Sequence, residues 1–475
     1  MQQPISSALG GRVHSNSVVF CPVHKTSLEA MLPVANYIQC KEEYYPVFLI
    51  GSPNMLEESD RIVSAGFRIV EIQPYEWNSK NKLFFRFRQA VSGQIHKWIL
   101  SGYTIPNRLF LNTDEFYKRL TQYYSDVVST LKDLEPVSVV IPDDRSLAYG
   151  FLPAVIKASG KLGIPRVIPP ISYAADRKTL GKITQHRTQY ISRKNKLYKR
   201  YPGNLLLHDK FDERAISFYT PEITEILYRF DALPDTPWVM GGGHADQVLV
   251  DGQDTASRYI KDGCDSRKII VTGHPAHDDL FKVFKNRAVT RSRLNKKYGL
   301  EKPHLTILSL PQMGEEKTLP WAEHWQGIHF LSDTFSKGQG DTLISLHPKM
   351  DKKQYLFIET EYGLRIVDEP LREILPVADS FAATFSSTIE WAVLCRVPAI
   401  VFDFYNLNYD MFDEYKGVVV INDQRMLSST LDHIQCDQEY LERLSNSHSE
   451  KASSLSPFDG ECMERVAEAC CYTEK

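Results

Sequence analysis

The stretch from Ala378 to Phe404 constrains the fold of this chain more than any other. Its pattern predicts a short buried strand (Ser380–Thr384), a tight turn, a helix (Thr388–Leu394) and a second buried strand (Ala399–Phe402). Strands that alternate with helices in this way are typical of a parallel sheet with helices on both faces. The stretch therefore predicts an α/β fold.

The same alternation recurs in two series along the chain. The further strands that it predicts are Val18–Cys21, Pro46–Ile50, Phe67–Ile72, Val137–Ile141, Arg166–Ile168, Gln247–Val250, Lys268–Thr272, Leu305–Leu308, Thr342–Leu346, Leu364–Val367 and Val418–Ile421. A length of 475 residues suits two large domains. We expect one doubly wound Rossmann-like domain over 1–270, a second over 271–435, and a helical tail over 436–475 that can cross back to the first.

Composition excludes several classes of protein. The chain is 43% hydrophobic and 24% charged, with a net charge of −3. It has no apolar run of about eighteen residues and no secretory pattern at its start, so we expect a cytoplasmic protein without a transmembrane helix. The eight cysteines form no C-x-x-C pair, which argues against a zinc site or a disulfide framework.

Three segments need separate interpretation. Residues 80–131 are helical in period and rich in aromatic and basic residues; we favour a helical insertion packed on the sheet over contact with a membrane surface. The segment Arg177–Arg200 is strongly basic, which fits either a solvated face or a surface for an anionic acceptor, lipid or nucleotide. No nucleic-acid motif accompanies it, so we expect no nucleic-acid partner. Phe211–Phe230 is predicted to be largely helical, with a break at Pro221.

Groups that suit an anion follow two predicted strands in the second half of the chain. Ser386, Ser387 and Thr388 stand where a helix begins, and the free N–H groups of a helix N-terminus attract anions. His347, Pro348 and Lys349 follow the strand Thr342–Leu346. Ligands of open parallel sheets bind beyond the carboxyl ends of the strands. The alternative for the triplet alone is a helix cap without a ligand; together the two turns predict a phosphate site.

In the first half of the chain, acidic and imidazole groups also follow strands. Asp143 and Asp144 come after the fourth predicted strand, and His24 comes after the first. The alternative for the acidic pair is a helix N-cap, which needs only one of the two. The glycines of Gly241–Gly243 do not follow the order of a dinucleotide-binding loop.

Several of these stretches carry a resemblance to a known family. Ala245–Val250 through Ile270–Pro275 resembles the segment that closes the first domain of the GT-B nucleotide-sugar glycosyltransferases and related epimerases. His347-Pro348 is similar to the HP motif, and Ser386-Ser387-Thr388 to the S-S/T motif, of bacterial sialyltransferases and of capsule and polyol-phosphate transferases. Asp143-Asp144 is similar to the sialyltransferase acidic motif, with Arg145 in place of its glycine.

The resemblance implies a GT-B fold, with two domains across a cleft, and roles for particular residues. His347 would donate to the leaving phosphate. Asp144 would be the general base, its pKa raised by Asp143, which would serve as an anchor. The rival base is His24. The other donor-site residues would be Pro348, Ser386, Ser387, Thr388, Glu390 at the ribose, Gln312 and Met313 in the nucleotide pocket, and Gly273 and His274; the acceptor-site residues would be Arg177, Lys178 and Lys182.

The sequence thus predicts a metal-independent glycosyltransferase of bacterial surface-polysaccharide type, without a cofactor. No Asp-x-Asp motif ends a predicted strand, so no metal site is expected. The favoured donor is a CMP-linked sialic or related ulosonic acid; CDP-polyol and UDP-sugar donors stay open. The acceptor would be a carbohydrate or glycolipid, with peripheral contact at the inner membrane as one option. The alternatives are a UDP-sugar 2-epimerase of the same architecture and a non-catalytic binding module.

Overall fold

The structure is a computed structural model. It describes residues 16–73, 113–171, 190–192, 203–208, 214–315, 319–384, 386–404, 412 and 415–471. The chain divides into two compact units. The first comprises Met1–Val250, Ala256–Ile270 and Val466–Lys475, and the second comprises Asp251–Thr255 and Val271–Arg465.

The strands agree with the predicted alternation. In chain order they are β1 (Ser17–Phe20), β2 (Tyr45–Ile50), β3 (Arg68–Glu71), β4 (Ser138–Val140), β5 (Arg166–Ile168), β6 (Tyr190–Ser192), β7 (Leu206–His208), β8 (Arg214–Ser217), β9 (Gln247–Val250), β10 (Ile269–Val271), β11 (Leu305–Ser309), β12 (Asp341–Ser345), β13 (Arg365–Ile366), β14 (Ser380–Ala383), β15 (Ala399–Phe402) and β16 (Val418–Ile421). The strands of the two large sheets lie within a residue or two of their predicted bounds.

The helices fill the intervals between these strands. They are α1 (Lys25–Cys40), α2 (Pro53–Leu56), α3 (Ser59–Ser64), α4 (Thr113–Leu134), α5 (Phe151–Leu162), α6 (Pro221–Arg229), α7 (Gln253–Asp262), α8 (Ala276–Lys285), α9 (Arg287–Tyr298), α10 (Trp321–Ser336), α11 (Lys352–Tyr355), α12 (Phe357–Tyr362), α13 (Leu371–Ile374), α14 (Thr388–Leu394), α15 (Leu427–Cys436), α16 (Gln438–Leu455) and α17 (Cys462–Cys471).

The first unit is built on a seven-stranded sheet in the order β10-β9-β5-β4-β1-β2-β3. The neighbouring pairs from β9 to β3 are parallel. The strand order reverses between β1 and β4, and in an open sheet the crevice at such a reversal is where ligands bind. The register there places Phe20 beside Val140, so the chain leaves both strands at the same edge.

The second unit is built on a parallel sheet of six strands in the order β13-β12-β11-β14-β15-β16. Alternate residues of one strand enter different cores: Ile307 packs in one cluster with Phe381, and Leu308 packs in another with Ala382. A sheet buried on both faces reads as a continuous apolar run, which is why its strands could be predicted from the sequence.

A third sheet was not predicted. It has three strands in the order β6-β8-β7, and both of its pairings are antiparallel. Strand β8 occupies Arg214–Ser217, and helix α6 begins only at Pro221. The prediction of a largely helical Phe211–Phe230 is therefore wrong for the described part before Pro221. Proline lacks a backbone N–H, so it fits the first turn of a helix.

Helix α4 covers the described end of the predicted insertion. Its buried side chains recur at helical spacing at Leu120, Tyr123, Val127 and Leu131, and the last three join the core of the first sheet. This described part of the predicted insertion thus packs against the first sheet. Residues 80–112 lie outside the described part of the chain.

Candidate active site

Three loops meet at the carboxyl edge of the second sheet. Strand β11 pairs with β12 on one side and with β14 on the other. The register places Ser309 beside Ser345, and Leu308 beside Ala382. The turn that begins with His347 and the turn that holds Ser386 therefore lie on either side of the loop that follows β11.

His347 is half-buried, and its own turn sets its orientation. Its ring Nδ1 accepts the backbone N–H of Lys349 at 3.1 Å, and its backbone N–H points to the sulfur of Met350 at 3.3 Å. A neutral imidazole whose Nδ1 accepts carries its proton on Nε2. His347 is thus a hydrogen-bond donor through Nε2, as contact with a phosphate oxygen requires. Pro348, which follows it, is exposed.

The Ser-Ser-Thr turn organises its own hydroxyls at the start of α14. The Ser386 Oγ accepts the backbone N–H of Thr388 at 3.3 Å and lies 2.8 Å from the Thr388 Oγ1. Ser387 is the exposed residue that precedes the helix, and its side chain makes no capping hydrogen bond. The turn presents hydroxyl groups at a half-buried edge, which is compatible with an anionic ligand.

The remaining predicted donor-site residues differ in accessibility. Glu390 is half-buried, and the Tyr415 hydroxyl donates to it at 3.4 Å. Gln312 is half-buried in the loop after β11, whereas Met313 is 8% exposed and belongs to the interior. A cavity of about 420 Å³ opens on the same side of the sheet, lined in part by Phe404 and Gln424.

Gly273 and His274 serve packing in this structure. A Cβ at Gly273, whose φ is +81°, would come within 2.3 Å of the Cys462 sulfur. His274 accepts the backbone N–H of Ala276 through its Nδ1. His277, in the same segment, is buried, lies 2.8 Å from the Ser456 Oγ, and has its pKa lowered well below the ordinary value by burial and then by His274. These contacts favour a structural role for both predicted residues.

At the carboxyl edge of the first sheet, His24 and the acidic pair follow the adjacent strands β1 and β4. His24 is exposed and caps α1: its Nδ1 accepts the backbone N–H of Ser27 at 3.0 Å. The neutral ring therefore carries its proton on Nε2 and donates from there. This geometry argues against His24 as a base, since its one unprotonated nitrogen is held by the helix.

Asp144 is enclosed, which does not suit the role of general base that the resemblance implies for it. It is 3% exposed and accepts the backbone N–H groups of Gly241, Gly243 and Ala245 at 3.0, 2.8 and 3.3 Å. Burial raises its pKa, and Asp143 adds to the effect; Arg145 and the N–H groups of Gly241 and Ala245 act in the opposite direction. The predicted rise in pKa is confirmed, but the carboxylate is committed to the protein's own backbone.

Asp143 is the more accessible carboxylate of the pair, with 22% of its side chain exposed. The Arg145 guanidinium donates to both of its oxygens, at 2.9 and 3.0 Å, and this bidentate pair fixes its orientation. The Tyr219 hydroxyl in turn donates to the Arg145 carbonyl at 2.6 Å. The closure of the loop Gly241–Ala245 over Asp144 was not predicted from the sequence. The signal that could have indicated it is the run of glycines, which permits a close approach of the backbone.

A cavity of about 1200 Å³ in the first unit lies away from these residues. Its lining includes Val137, Pro165 and Gln247, which stand at the amino ends of β4, β5 and β9. It therefore belongs to the edge of the sheet opposite His24 and the acidic pair.

The other predicted features are only partly covered by the structure. Arg177, Lys178 and Lys182 lie outside the described residues. Within the described residues, no group of three or more His, Cys, Asp or Glu side chains is placed to hold a metal ion. In the same part of the chain no helix is long and apolar enough to cross a membrane.

Comparison with known proteins finds solved structures that are similar to this one. No family model matches the sequence, and no curated protein matches it. The calicheamicin glycosyltransferase CalG4 has a similar structure, with a TM-score of 0.52 and 12% identity over 95% of this chain and 96% of that one. The UDP-GlcNAc 2-epimerase of Neisseria meningitidis, solved with UDP-GlcNAc, has a TM-score of 0.48 and 12% identity over 95% of this chain and 98% of that one. The wall teichoic acid polymerase TagF has a TM-score of 0.48 and 11% identity over 96% of this chain and 88% of that one. With its two parallel α/β sheets, this chain has the GT-B fold.

Proposed function

We propose that this protein is a glycosyltransferase that moves a sugar from a nucleotide-activated donor to a carbohydrate or glycolipid acceptor. One observation carries the proposal. Two turns rich in anion-compatible groups flank the loop after β11, at the carboxyl edge of a parallel sheet. In one turn the His347 ring is fixed as an Nε2 donor, and in the other Ser386 and Thr388 present hydroxyls.

The proposed chemistry follows from what these groups can do. When the bond between sugar and nucleotide breaks, negative charge develops on the leaving phosphate. Donors that are already oriented stabilise that charge without reorganising. His347 Nε2–H and the Ser386 and Thr388 hydroxyls would supply this stabilisation, so we propose that transfer needs no divalent metal.

The finer donor assignment rests on the resemblance of the HP and S-S/T turns to those of sialyltransferases. We propose a CMP-linked acidic sugar, with CDP-polyols and UDP-sugars as the competing donors. The basic segment Arg177–Arg200 would contact an anionic acceptor or membrane surface, because it carries Lys and Arg but no Asp or Glu.

For the base we propose Asp143. Asp144 accepts three backbone N–H groups, and the Nδ1 of His24 is held by α1. Asp143 also accepts three hydrogen bonds, all from Arg145, but unlike the buried Asp144 it keeps part of its side chain exposed at the same edge of the first sheet. A positioned general base contributes typically 10²–10⁴-fold to a rate, so Asp143→Asn is expected to lower kcat by about a hundredfold or more.

Nucleotide binding tests the proposal directly. Isothermal titration of the full chain with CMP, CDP, UDP and GDP in turn should find at least one ligand. His347→Ala and the double variant Ser386→Ala/Thr388→Ala should each weaken that ligand by about ten- to a hundredfold, the size expected when hydrogen bonds to a charged group are lost.

Matched controls are available on exposed surfaces of the same unit. His433 on α15 pairs with Asp437, which follows that helix, and the Ser447 hydroxyl bonds within α16. His433→Ala and Ser447→Ala should leave nucleotide affinity unchanged. Absence of binding by all four nucleotides, or equal loss in the control variants, would contradict the proposed site. Interconversion of UDP-sugars without any acceptor would instead identify an epimerase.

A further inference from the structure

A chain of three buried polar side chains joins the loop after β11 to two helices. The Tyr355 hydroxyl donates to the Glu315 Oε1 at 2.5 Å, and the Nε2 of His324 lies 2.9 Å from the Tyr355 oxygen. His324 Nδ1 accepts the backbone N–H of Gly314 at 3.3 Å. Both ring residues are fully buried, and the Glu315 side chain is 12% exposed. We call these three residues the Glu-Tyr-His relay.

The groups at the two ends of the relay, the Gly314 N–H and the Glu315 carboxylate, determine the direction of each hydrogen bond in it. Because Nδ1 of His324 accepts from Gly314, the neutral ring carries its proton on Nε2 and donates it to the Tyr355 oxygen. Tyr355 therefore turns its own proton toward the carboxylate of Glu315, and a hydrogen bond to an ionised group is stronger than one between neutral groups. Burial lowers the pKa of His324, which keeps the ring neutral, although Glu315 acts in the opposite direction.

Close packing leaves the relay little room to rearrange. A Cβ at Gly314 would lie 2.8 Å from the Trp321 ring and 3.1 Å from the ring of His324. Among the described residues, the other carboxylate oxygen of Glu315, which is buried, has no hydrogen-bond partner, and it lies 4.0 Å from His324 Nε2. A buried acceptor without a partner costs free energy where it lies, so the Tyr355 hydrogen bond and the surrounding packing must offset that cost.

The relay connects the segments that bear the candidate donor site. Glu315 ends the described part of the loop after β11, which carries Gln312. Tyr355 ends α11, which follows the His347 turn directly. Between the turn and α11, Met350 receives the His347 backbone N–H and packs in the same core as Tyr355. Helix α10 supplies His324 and so holds both segments at once.

We propose that Glu315, Tyr355 and His324 are positioning residues for the donor nucleotide. The relay fixes the distance between the loop after β11 and the His347 turn, so that both contact one nucleotide at the same time. This inference rests on the proposed function. The three residues act through the backbone that they hold, and none of them is proposed to touch the nucleotide.

Three substitutions dissect the relay. Tyr355→Phe removes one hydroxyl and preserves the ring. Glu315→Ala removes the acceptor, whereas Glu315→Gln keeps an oxygen that can accept from Tyr355. We expect the first two to weaken nucleotide binding about tenfold, measured by titration with CMP, CDP, UDP and GDP in turn. Glu315→Gln should stay within about threefold of the wild type.

Helix α10 also provides a matched control. His329 on α10 bonds the Tyr362 hydroxyl on α12 at 2.8 Å, in an exposed pair without a carboxylate. Tyr362→Phe removes an equivalent His–Tyr hydrogen bond but does not reach the loop after β11. Its nucleotide affinity should match that of the wild type.

Hydrogen exchange separates failure of the relay from failure of the proposed function. In the protein without nucleotide, Tyr355→Phe and Glu315→Ala should speed exchange in the peptide that contains Gly314, while Tyr362→Phe should not. If no nucleotide binds the wild type but exchange changes as described, the proposed function fails and the relay stands as a loop anchor only. Unchanged exchange and unchanged affinity in both relay variants would overturn the inference, as would loss of affinity in Glu315→Gln equal to that in Glu315→Ala.

Discussion

Asp144 joins two parts of the first unit that are about a hundred residues apart in sequence. Its carboxylate accepts N–H groups from the loop Gly241–Ala245, and that loop is further held by Lys268, whose Nζ donates to the Gly243 carbonyl at 2.9 Å. An asparagine here would turn an N–H₂ group toward backbone donors and leave at least one of them unpaired. We therefore expect Asp144→Asn to lower the free energy of unfolding by about 1–3 kcal/mol.

The same substitution should leave turnover of the folded enzyme nearly unchanged. Urea denaturation measures the stability, and kcat is measured well below the melting temperature. Asp143→Asn is the matched control, with the opposite pattern of small stability change and large loss of kcat. If Asp144→Asn alone abolished turnover in a stably folded protein, the assignment of the base to Asp143 would be refuted.

His448 gives the stability of the second unit a defined pH dependence. It is 1% exposed on α16, and its Nε2 lies 3.1 Å from the Val397 carbonyl. Burial lowers its pKa from 6.5 to about 4. The unfolded chain therefore takes up a proton at a higher pH than the folded chain. The stabilising contribution is complete above pH 6.5 and is lost as the pH falls toward 4, by about 3 kcal/mol.

Unfolding by urea at a series of pH values checks this expectation. The difference in unfolding free energy between pH 7 and pH 4 should be smaller in His448→Gln than in the wild type. Identical pH profiles for the two proteins would show that His448 is not the responsible group.

Among secondary-structure elements, those buried on both faces of a sheet were predictable from the sequence. Strand β15 is a run of four fully buried apolar residues, and α14 follows directly after a Ser-Ser-Thr turn. The strands β6 and β7 have three residues each, too few for a pattern, and their antiparallel partner β8 lies before a proline that we read as a helix break. Pairing with strands distant in sequence determines the structure of that segment, and a local sequence pattern does not indicate such pairing.

The candidate site also has features that could be predicted from the sequence and features that could not. The turns of His347 and Ser386 could be located because each follows a buried strand, and each residue makes a hydrogen bond within its own turn. The enclosure of Asp144 and the Glu-Tyr-His relay depend on partners 31 to 101 residues away, which no local pattern reveals. Position after a strand thus indicated which edge a residue occupies, but not whether its side chain is open to a ligand.

Helix α4 tests the packing interpretation of the insertion. Leu131 is 1% exposed in the core of the first sheet, and the adjacent Lys132 is exposed. Leu131→Ala should lower the unfolding free energy by about 2–5 kcal/mol. Lys132→Ala should change it by no more than about 0.5 kcal/mol. If Leu131→Ala left stability unchanged but reduced binding to anionic lipid vesicles, the membrane interpretation would be favoured instead.

At the scale of the whole molecule, neither unit is a continuous piece of chain. Residues Asp251–Thr255 belong to the second unit, and Val466–Lys475 to the first. Helix α17 contributes Val466 and Cys470, both fully buried, and the Ser138 hydroxyl at the start of β4 donates to the Cys470 carbonyl. From Val466 onward, the last described helix is therefore part of the first unit's interior.

Replacing Val466 by aspartate should destabilise the first unit selectively, because the substitution buries an unpaired carboxylate. Burying such a charge costs several kcal/mol, so Val466→Asp is expected to speed hydrogen exchange in β4 while β15 stays protected. Glu468→Gln, at an exposed position of the same helix, is the control and should change neither. Equal loss of protection in β4 and β15 would contradict the assignment of α17 to the first unit.

The place of α17 has a consequence for synthesis of the protein. Domains usually fold in order as they leave the ribosome, but the first unit here lacks one of its helices until roughly 200 further residues have been added. At about 5–20 residues per second, that interval is roughly 10–40 seconds. During it, the apolar surface that Val466 and Cys470 later cover stays open to water, and this is the face that a chaperone would have to shield.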